Sequence, residues 1–207
     1  MRLIVMFLIL AILAGCASSY KPLSPDRTHY SNTAKTDYLD FSYKLGVLRE
    51  HGNKKYAKRE DRKAIRIASV RITNNSQRSF VIGNDVLFYT GSSQLVLLDP
   101  STLHKELKQG VPEYLLFLLL TPMQLTTGND STPIGFVIGP GIAFGNMIGA
   151  GSANQNFLRE LNDFNLINKT VNAGETVFGL IGVRDTGYNP ITLKIAEGAL
   201  TDHPGSY

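Results

Sequence analysis

Ala64-Ile65-Arg66-Ile67-Ala68-Ser69-Val70-Arg71-Ile72-Thr73 is the stretch on which the fold turns. Its apolar side chains recur at every second residue, the period of a β-strand. Ile65 and Ile67 share one face, while Val70 and Ile72 share the other. The phase change at Ala68-Ser69 predicts a β-bulge, which resets side-chain alternation. Asn74-Asn75-Ser76-Gln77-Arg78 reads as a turn by composition. Ser79 to Tyr89 then returns as a strand, so 64–89 is expected to form a hairpin.

The same period appears upstream, where Phe41, Tyr43, Leu45 and Val47 alternate with Ser42, Lys44 and Gly46. Downstream, Gln94 to Leu98 is a short strand. Ser101, following Asp99-Pro100, reads as the N-cap of a short helix that runs through Lys108 and is ended by Gly110. Val171 to Gly174 is a turn, and the nearly continuous apolar run from Glu175 to Val183 suits a central strand. Asp185 to Pro190 punctuates the chain, and Ile191, Leu193 and Ile195 then alternate with Thr192 and Lys194. Strands at both ends with a helical stretch between them do not alternate β-α-β. The expected fold is therefore mainly β, an antiparallel β-sandwich that is immunoglobulin-like in the loose sense. It spans 37–198 and carries a helical insertion at about 101–166, with 199–207 as a loose tail.

Residues 111–151 are unusual within that insertion. Tyr114 to Leu120 is an unbroken apolar run containing Leu116, Phe117 and Leu119. After a polar link from Thr126 to Pro133, Ile134 to Gly151 has no charge and bears glycines at Gly135, Gly139, Gly141, Gly145 and Gly149. Small residues four apart on a helix leave a groove that another backbone can approach. The pattern resembles the glycine-zipper segments of membrane-active proteins, although Pro140 interrupts it. Two readings are open: a helical hairpin that covers the sandwich, or one that contacts a membrane, a lipid or an apolar partner. Ser152 to Leu166 reads as an amphipathic, core-facing helix through Phe157, Leu158, Leu161 and Phe164.

The N-terminus has its own pattern. Arg2 precedes an apolar run from Leu3 to Leu13, and Ala14-Gly15-Cys16 follows. A short basic region, an apolar stretch and small residues describe an export signal. The run is too short to span a bilayer, which takes about 20 residues. Leu13-Ala14-Gly15-Cys16 resembles the lipobox of bacterial prolipoproteins. The resemblance implies removal of residues 1–15, cleavage between Gly15 and Cys16, a diacylglycerol thioether on Cys16, and acylation of its new amino group. Cys16 is the sole cysteine. An internal disulfide is therefore excluded, and lipidation accounts for a thiol in an exported chain. Ala17-Ser18-Ser19 places no Asp after the cysteine, which resembles lipoproteins passed to the outer membrane in enteric-type bacteria, a Gram-positive cell-surface lipoprotein being the other reading. Residues 16–36, rich in Ser, Thr and Asn with Pro22 and Pro25, read as a flexible tether reaching about 25 Å.

Charge and motifs narrow the function. Of the 207 residues the leader removes 15 and one positive charge from a net +4, leaving a chain of single-domain size with no strong field. Nucleic acid is not an expected partner. The basic run from Arg49 to Arg66 is expected to be a solvated loop, with Lys54, Lys55, Lys58 and Arg59 as candidate contacts to anionic headgroups or surface polymers. His29, His51, His104 and His203 show no ligand spacing, so no metal is expected. Gly139-Pro140-Gly141 and Gly149-Ala150-Gly151 complete neither a dinucleotide fingerprint nor a P-loop, and there is no Gly-x-Ser-x-Gly elbow. No cofactor is expected. The expectation is a non-catalytic lipoprotein of the cell envelope that binds or organises something at the membrane, another envelope protein or a lipid being the candidate partner. Alternatives are a self-associating, membrane-perturbing lipoprotein acting through 111–151, and an envelope hydrolase whose site is assembled from distant residues.

Overall fold

A computed structural model describes residues 18–110, 118, 124–127, 130–132, 135–185 and 187–201. In chain order its elements are β1 (Asn32–Lys35), β2 (Leu39–Leu45), α1 (Val47–Glu50), α2 (Lys54–Lys63), β3 (Ile65–Asn74), β4 (Phe80–Val81), β5 (Val86–Thr90), β6 (Ser93–Leu95), α3 (Pro100–Leu107), β7 (Leu125–Thr127), β8 (Asp130–Thr132), α4 (Gly135–Asp163), β9 (Thr170–Val171), β10 (Thr176–Arg184), β11 (Thr192–Ile195) and α5 (Glu197–Thr201). Backbone proximity divides the chain into two units, Lys21–Leu107 with Phe157–Tyr207, and Met1–Tyr20 with Lys108–Asn156.

The larger unit is mainly antiparallel β. One sheet has the order β1-β2-β3-β10, a second β11-β5-β6, and β4 pairs with β9. Leu39, Phe41 and Tyr43 of β2, Val70 and Ile72 of β3, and Val177 and Ile181 of β10 share one core with Val86 and Phe88 of β5 and Leu193 of β11. Phe41 meets Phe88 edge-on at 5.8 Å across that core. The two sheets thus face each other as a β-sandwich.

The stretch 64–73 forms β3 without the expected bulge. Its register runs unbroken from Thr73↔Thr176 to Ile65↔Arg184. The apparent phase change has another cause: both faces are buried. Ala68, Val70 and Ile72 enter the sandwich core. On the opposite face Ile65, Ile67 and Ser69 are equally inaccessible, and Gly182 of β10 leaves room for Leu103 of α3. A strand covered on both sides needs no polar alternation.

The expected 64–89 hairpin is also absent. β3 pairs with β2 and β10, and β5 with β11 and β6. Ser79 to Tyr89 breaks into β4 and β5 because Gly83 adopts φ +93°, a turn conformation. There the Asp85 carboxylate accepts the Val81 N–H at 2.7 Å. β10, expected to be central, is the last full strand of its sheet; its outer edge makes isolated bridges to Leu97 and Asn165.

Four further expectations are corrected. The basic run is not a loop but α1 and α2. Asp99, not Ser101, caps α3, accepting the Thr102 N–H at 3.0 Å and both neighbouring hydroxyls. Those hydroxyls, with Ser101 the strongest, hold its carboxyl far below the usual range. The start of the tail is helix α5. Residues 21–35 of the supposed tether are built into the larger unit, with Leu23 and Pro25 buried, Tyr30 donating to the Pro25 carbonyl at 2.6 Å, and β1 paired to β2.

In the smaller unit the polar link after Thr126 is the β7–β8 hairpin, and the glycine-rich stretch opens α4. The separate helix expected from Ser152 is the continuation of α4 to Asp163. Phe157 and Leu161 are buried as expected, while Leu166 lies beyond the helix in the sandwich core. No described helix is long and apolar enough to cross a membrane.

Candidate membrane-facing site

Ser18, Lys21, Leu23 and Ser24 are held by buried amide and carboxylate side chains. In the smaller unit, Asn154 of α4 binds the backbone of Gln109 in both senses, accepting its N–H at 2.7 Å and donating to its carbonyl at 2.9 Å. The Gln109 side chain repeats the arrangement on Ser18, donating to its carbonyl at 2.8 Å and accepting its N–H at 3.4 Å. In the larger unit, Asn53 accepts the Lys21 N–H at 2.9 Å and donates to the Lys21 carbonyl at 2.7 Å. Glu160 accepts the N–H groups of Leu23 and Ser24 at 2.7 and 2.9 Å. A primary amide presents a donor beside an acceptor, as a neighbouring strand would, so each Asn or Gln substitutes for a β partner. Asn53 stands at the N-cap position of α2, yet its side chain makes no cap bond, because Lys21 occupies it.

The sequence flagged none of these four residues. Lone Asn, Gln and Glu side chains are ordinary in sequence, and only their burial marks them. Asn53 is fully inaccessible and Gln109 nearly so.

Along α4 within the smaller unit, Ala143, Ala150 and Ala153 are buried, while Phe144 and Ile148 are 57% and 74% exposed. Gly141 and Gly145 lie on that exposed side, and a Cβ added to either would meet open space. The smooth side expected to seat a second backbone is therefore the open one, and the alanines form the buried one. Gly149 is half-buried; Gly135 and Gly139 belong to the first turns of α4. Leu116, Phe117 and Leu119, like Gly15 and Cys16, lie outside the described residues.

The basic run is partly spent within the larger unit. Arg49 and Arg66 pair with Asp61 at 2.6 and 3.2 Å, and Lys63 pairs with Glu106 at 3.1 Å. Lys54 and Lys58, one helical turn apart on α2, are exposed, and Arg62 continues their line. These three make no ion pair among the described residues. Lys55 and Arg59 are half-buried. α2 thus offers a narrower cationic stripe than eight basic residues suggested.

Glu60 lies on the buried side of α2. Its Oε1 accepts the Ile67 N–H at 2.7 Å, just where β2 ends and leaves that edge of β3 open, β10 continuing on the other. Burial, opposed by that bond and by Arg66, raises its carboxyl to about 7. Arg66 also donates to the Gly187 carbonyl and stacks over Tyr188 at 4.7 Å. The cluster fastens a loop and a strand end. A cleft of about 290 Å³ does lie between the β5–β6 hairpin and residues 167–168, but neither Asn84, Gln94 and Asn168 nor the apolar side chains around them can ionise. No group of three His, Cys, Asp or Glu residues is placed for a metal among the described residues.

The chain matches no protein-family model, no curated protein and no solved structure.

Proposed function

We propose that the chain is a lipid-anchored lipoprotein of the bacterial cell envelope with a non-catalytic binding or structural role at the membrane. The observation that carries this reading is Leu13-Ala14-Gly15-Cys16 directly behind the apolar run Leu3 to Leu13. Supporting it, Ser18, Lys21 and Leu23 are bound to buried side chains, so ordered structure begins two residues after Cys16 in sequence. Two or three acyl chains give firm attachment, each buried methylene contributing about 0.8 kcal/mol.

The test is incorporation of an alkyne-tagged fatty acid into the full chain expressed with its own leader. The wild type is expected to carry the label and to remain with membranes after a high-salt wash. Cys16→Ser is expected to lose the label. Equal labelling of the two proteins sinks the proposal. A membrane-perturbing role is a second reading, favoured by the exposure of Phe144 and Ile148; dye release from vesicles supports it, and intact vesicles at saturating protein reject it.

A further inference from the structure

We infer that the outer side of α4 around Phe144 and Ile148 lies in the interfacial layer of the bilayer holding the acyl chains of Cys16; the inference rests on the lipoprotein reading above and deepens it.

Three observations point to a lipid surface as the occupant. The first is the composition of that side of the helix. Gly141, Phe144, Gly145 and Ile148 are followed on the same side by exposed Ser152, Gln155 and Asn156. The helix side thus passes from apolar to polar over about 22 Å, at about 1.5 Å per residue. No residue from Ser131 to Leu158 is charged. Such a gradient suits a helix at the boundary between headgroups and acyl chains. No described helix is long and apolar enough to cross a membrane.

The second is where the chain leads. Ser18 is bound to Gln109, and Gln109 to Asn154 of α4 itself. Cys16 stands two residues before Ser18, a reach of at most about 7 Å. Ile148 and Phe144 lie six and ten residues before Asn154 on the helix, about 9 and 15 Å along its axis. An acyl chain that leaves Cys16 for the bilayer therefore tethers α4 by a short path that meets the helix at Asn154.

The third concerns the competing occupant, a second copy of the chain. Two helices crossing closely through small residues would use Gly141 and Gly145. Phe144 and Ile148 stand on the same side, with more than half their surface exposed. They hold an approaching backbone away and offer apolar bulk to a fluid phase instead.

The sequence contains no Trp, so a single introduced Trp reports its surroundings unambiguously. Phe144→Trp would be prepared both lipidated and as the Cys16→Ser protein, with Val96→Trp as an exposed control in the larger unit. Vesicles of phosphatidylethanolamine and phosphatidylglycerol, with and without brominated acyl chains, are the probe. The expected result is a blue shift and quenching by brominated lipid at Phe144→Trp, with Val96→Trp unchanged. In the unlipidated protein, Phe144→Ser with Ile148→Ser should lower vesicle partitioning by roughly tenfold or more, since each large apolar side chain transferred is worth about that factor. Circular dichroism of each variant checks that the surface changes leave the fold intact.

If Cys16 carries acyl label while Phe144→Trp is neither shifted nor quenched, the inference falls and the anchor stands. If Phe144→Trp is quenched but Cys16 carries no label, the contact stands and the anchor reading falls. A blue shift that appears without lipid, grows with protein concentration and accompanies a dimer in sedimentation overturns the inference in favour of a second copy.

Discussion

Glu60 shows how one buried carboxyl sets a pH response. Its folded value of about 7 exceeds the ordinary 4.5. The folded chain therefore holds this proton more tightly than the unfolded chain does. The stability it contributes is fully present below about 4.5 and is lost as pH rises toward 7, then stays level. The whole effect is up to about 3 kcal/mol. Melting temperature should fall between about pH 5 and pH 7.5. Glu60→Gln, which keeps an acceptor for Ile67 N–H and removes the charge, should flatten that profile and raise stability at pH 8. A wild-type profile already flat across this range would refute the assignment. Gly182 makes a second case. An added Cβ there would run into the Leu103 side chain. Gly182→Ala is expected to destabilise by about 1–3 kcal/mol. Adding Leu103→Ala should recover part of that loss, giving a non-additive double-mutant cycle in thermal denaturation. Neither feature is readable beforehand. Glu60 sits among Lys58, Arg59, Asp61 and Arg62, where a carboxylate looks solvated, and Gly182 resembles any glycine in an apolar run.

At the scale of elements, strand existence was legible and strand partnership was not. Alternation in 41–45 and 191–195 located β2 and β11, because Phe41 and Tyr43 of β2 and Leu193 of β11 enter the core while polar residues alternate with them. From Ile65 to Val70 both faces are covered, so the same reasoning produced a bulge that does not exist. Pairing is a long-range property: Thr73 bonds to Thr176, 103 residues on, and period two carries no information about that distance. The strap over 18–24 was missed for a similar reason. Its composition is that of a linker, and its order comes from Gln109, Asn53 and Glu160. Asn53→Ala would leave the Lys21 N–H and carbonyl without their partner, at a cost of about 1–3 kcal/mol each when buried. Amide hydrogen exchange from Lys21 to Ser24 should accelerate in that variant, while exchange in β3 stays near wild type. Unchanged protection at Lys21 would show that the clamp contributes nothing to local order.

For the whole molecule, the sequence pointed to an anchor and a mainly antiparallel β architecture, and the chain folds with that architecture. The candidate surface was legible only in part. The uncharged stretch was visible, but which side of α4 stays open depends on Ala143, Ala150 and Ala153 being covered, and that follows from the fold. The net charge of +4 is modest, and intramolecular pairing of Arg49, Lys63 and Arg66 reduces what α2 can offer outward. Lys54→Glu with Lys58→Glu should therefore weaken binding of the unlipidated chain to anionic vesicles at low salt. The difference should vanish near 1 M salt, where the screening length is about 3 Å. An unchanged affinity at low salt would remove α2 from the membrane surface.

The β3–β10 pairing also constrains how such a chain can be made and moved. A polypeptide emerging N-terminus first displays β2 and β3 long before residues 176–184 exist to complete their sheet. Until then β3 keeps an open, apolar hydrogen-bonding edge of the kind that aggregates. The ribosome thus releases a chain that cannot lock itself shut early; on the lipoprotein reading proposed above, that suits passage in the unfolded state. Closure then waits until residues 176–184, near the end of the chain, have been made. The register that makes the native sheet permanent is the same one that keeps the nascent chain threadable.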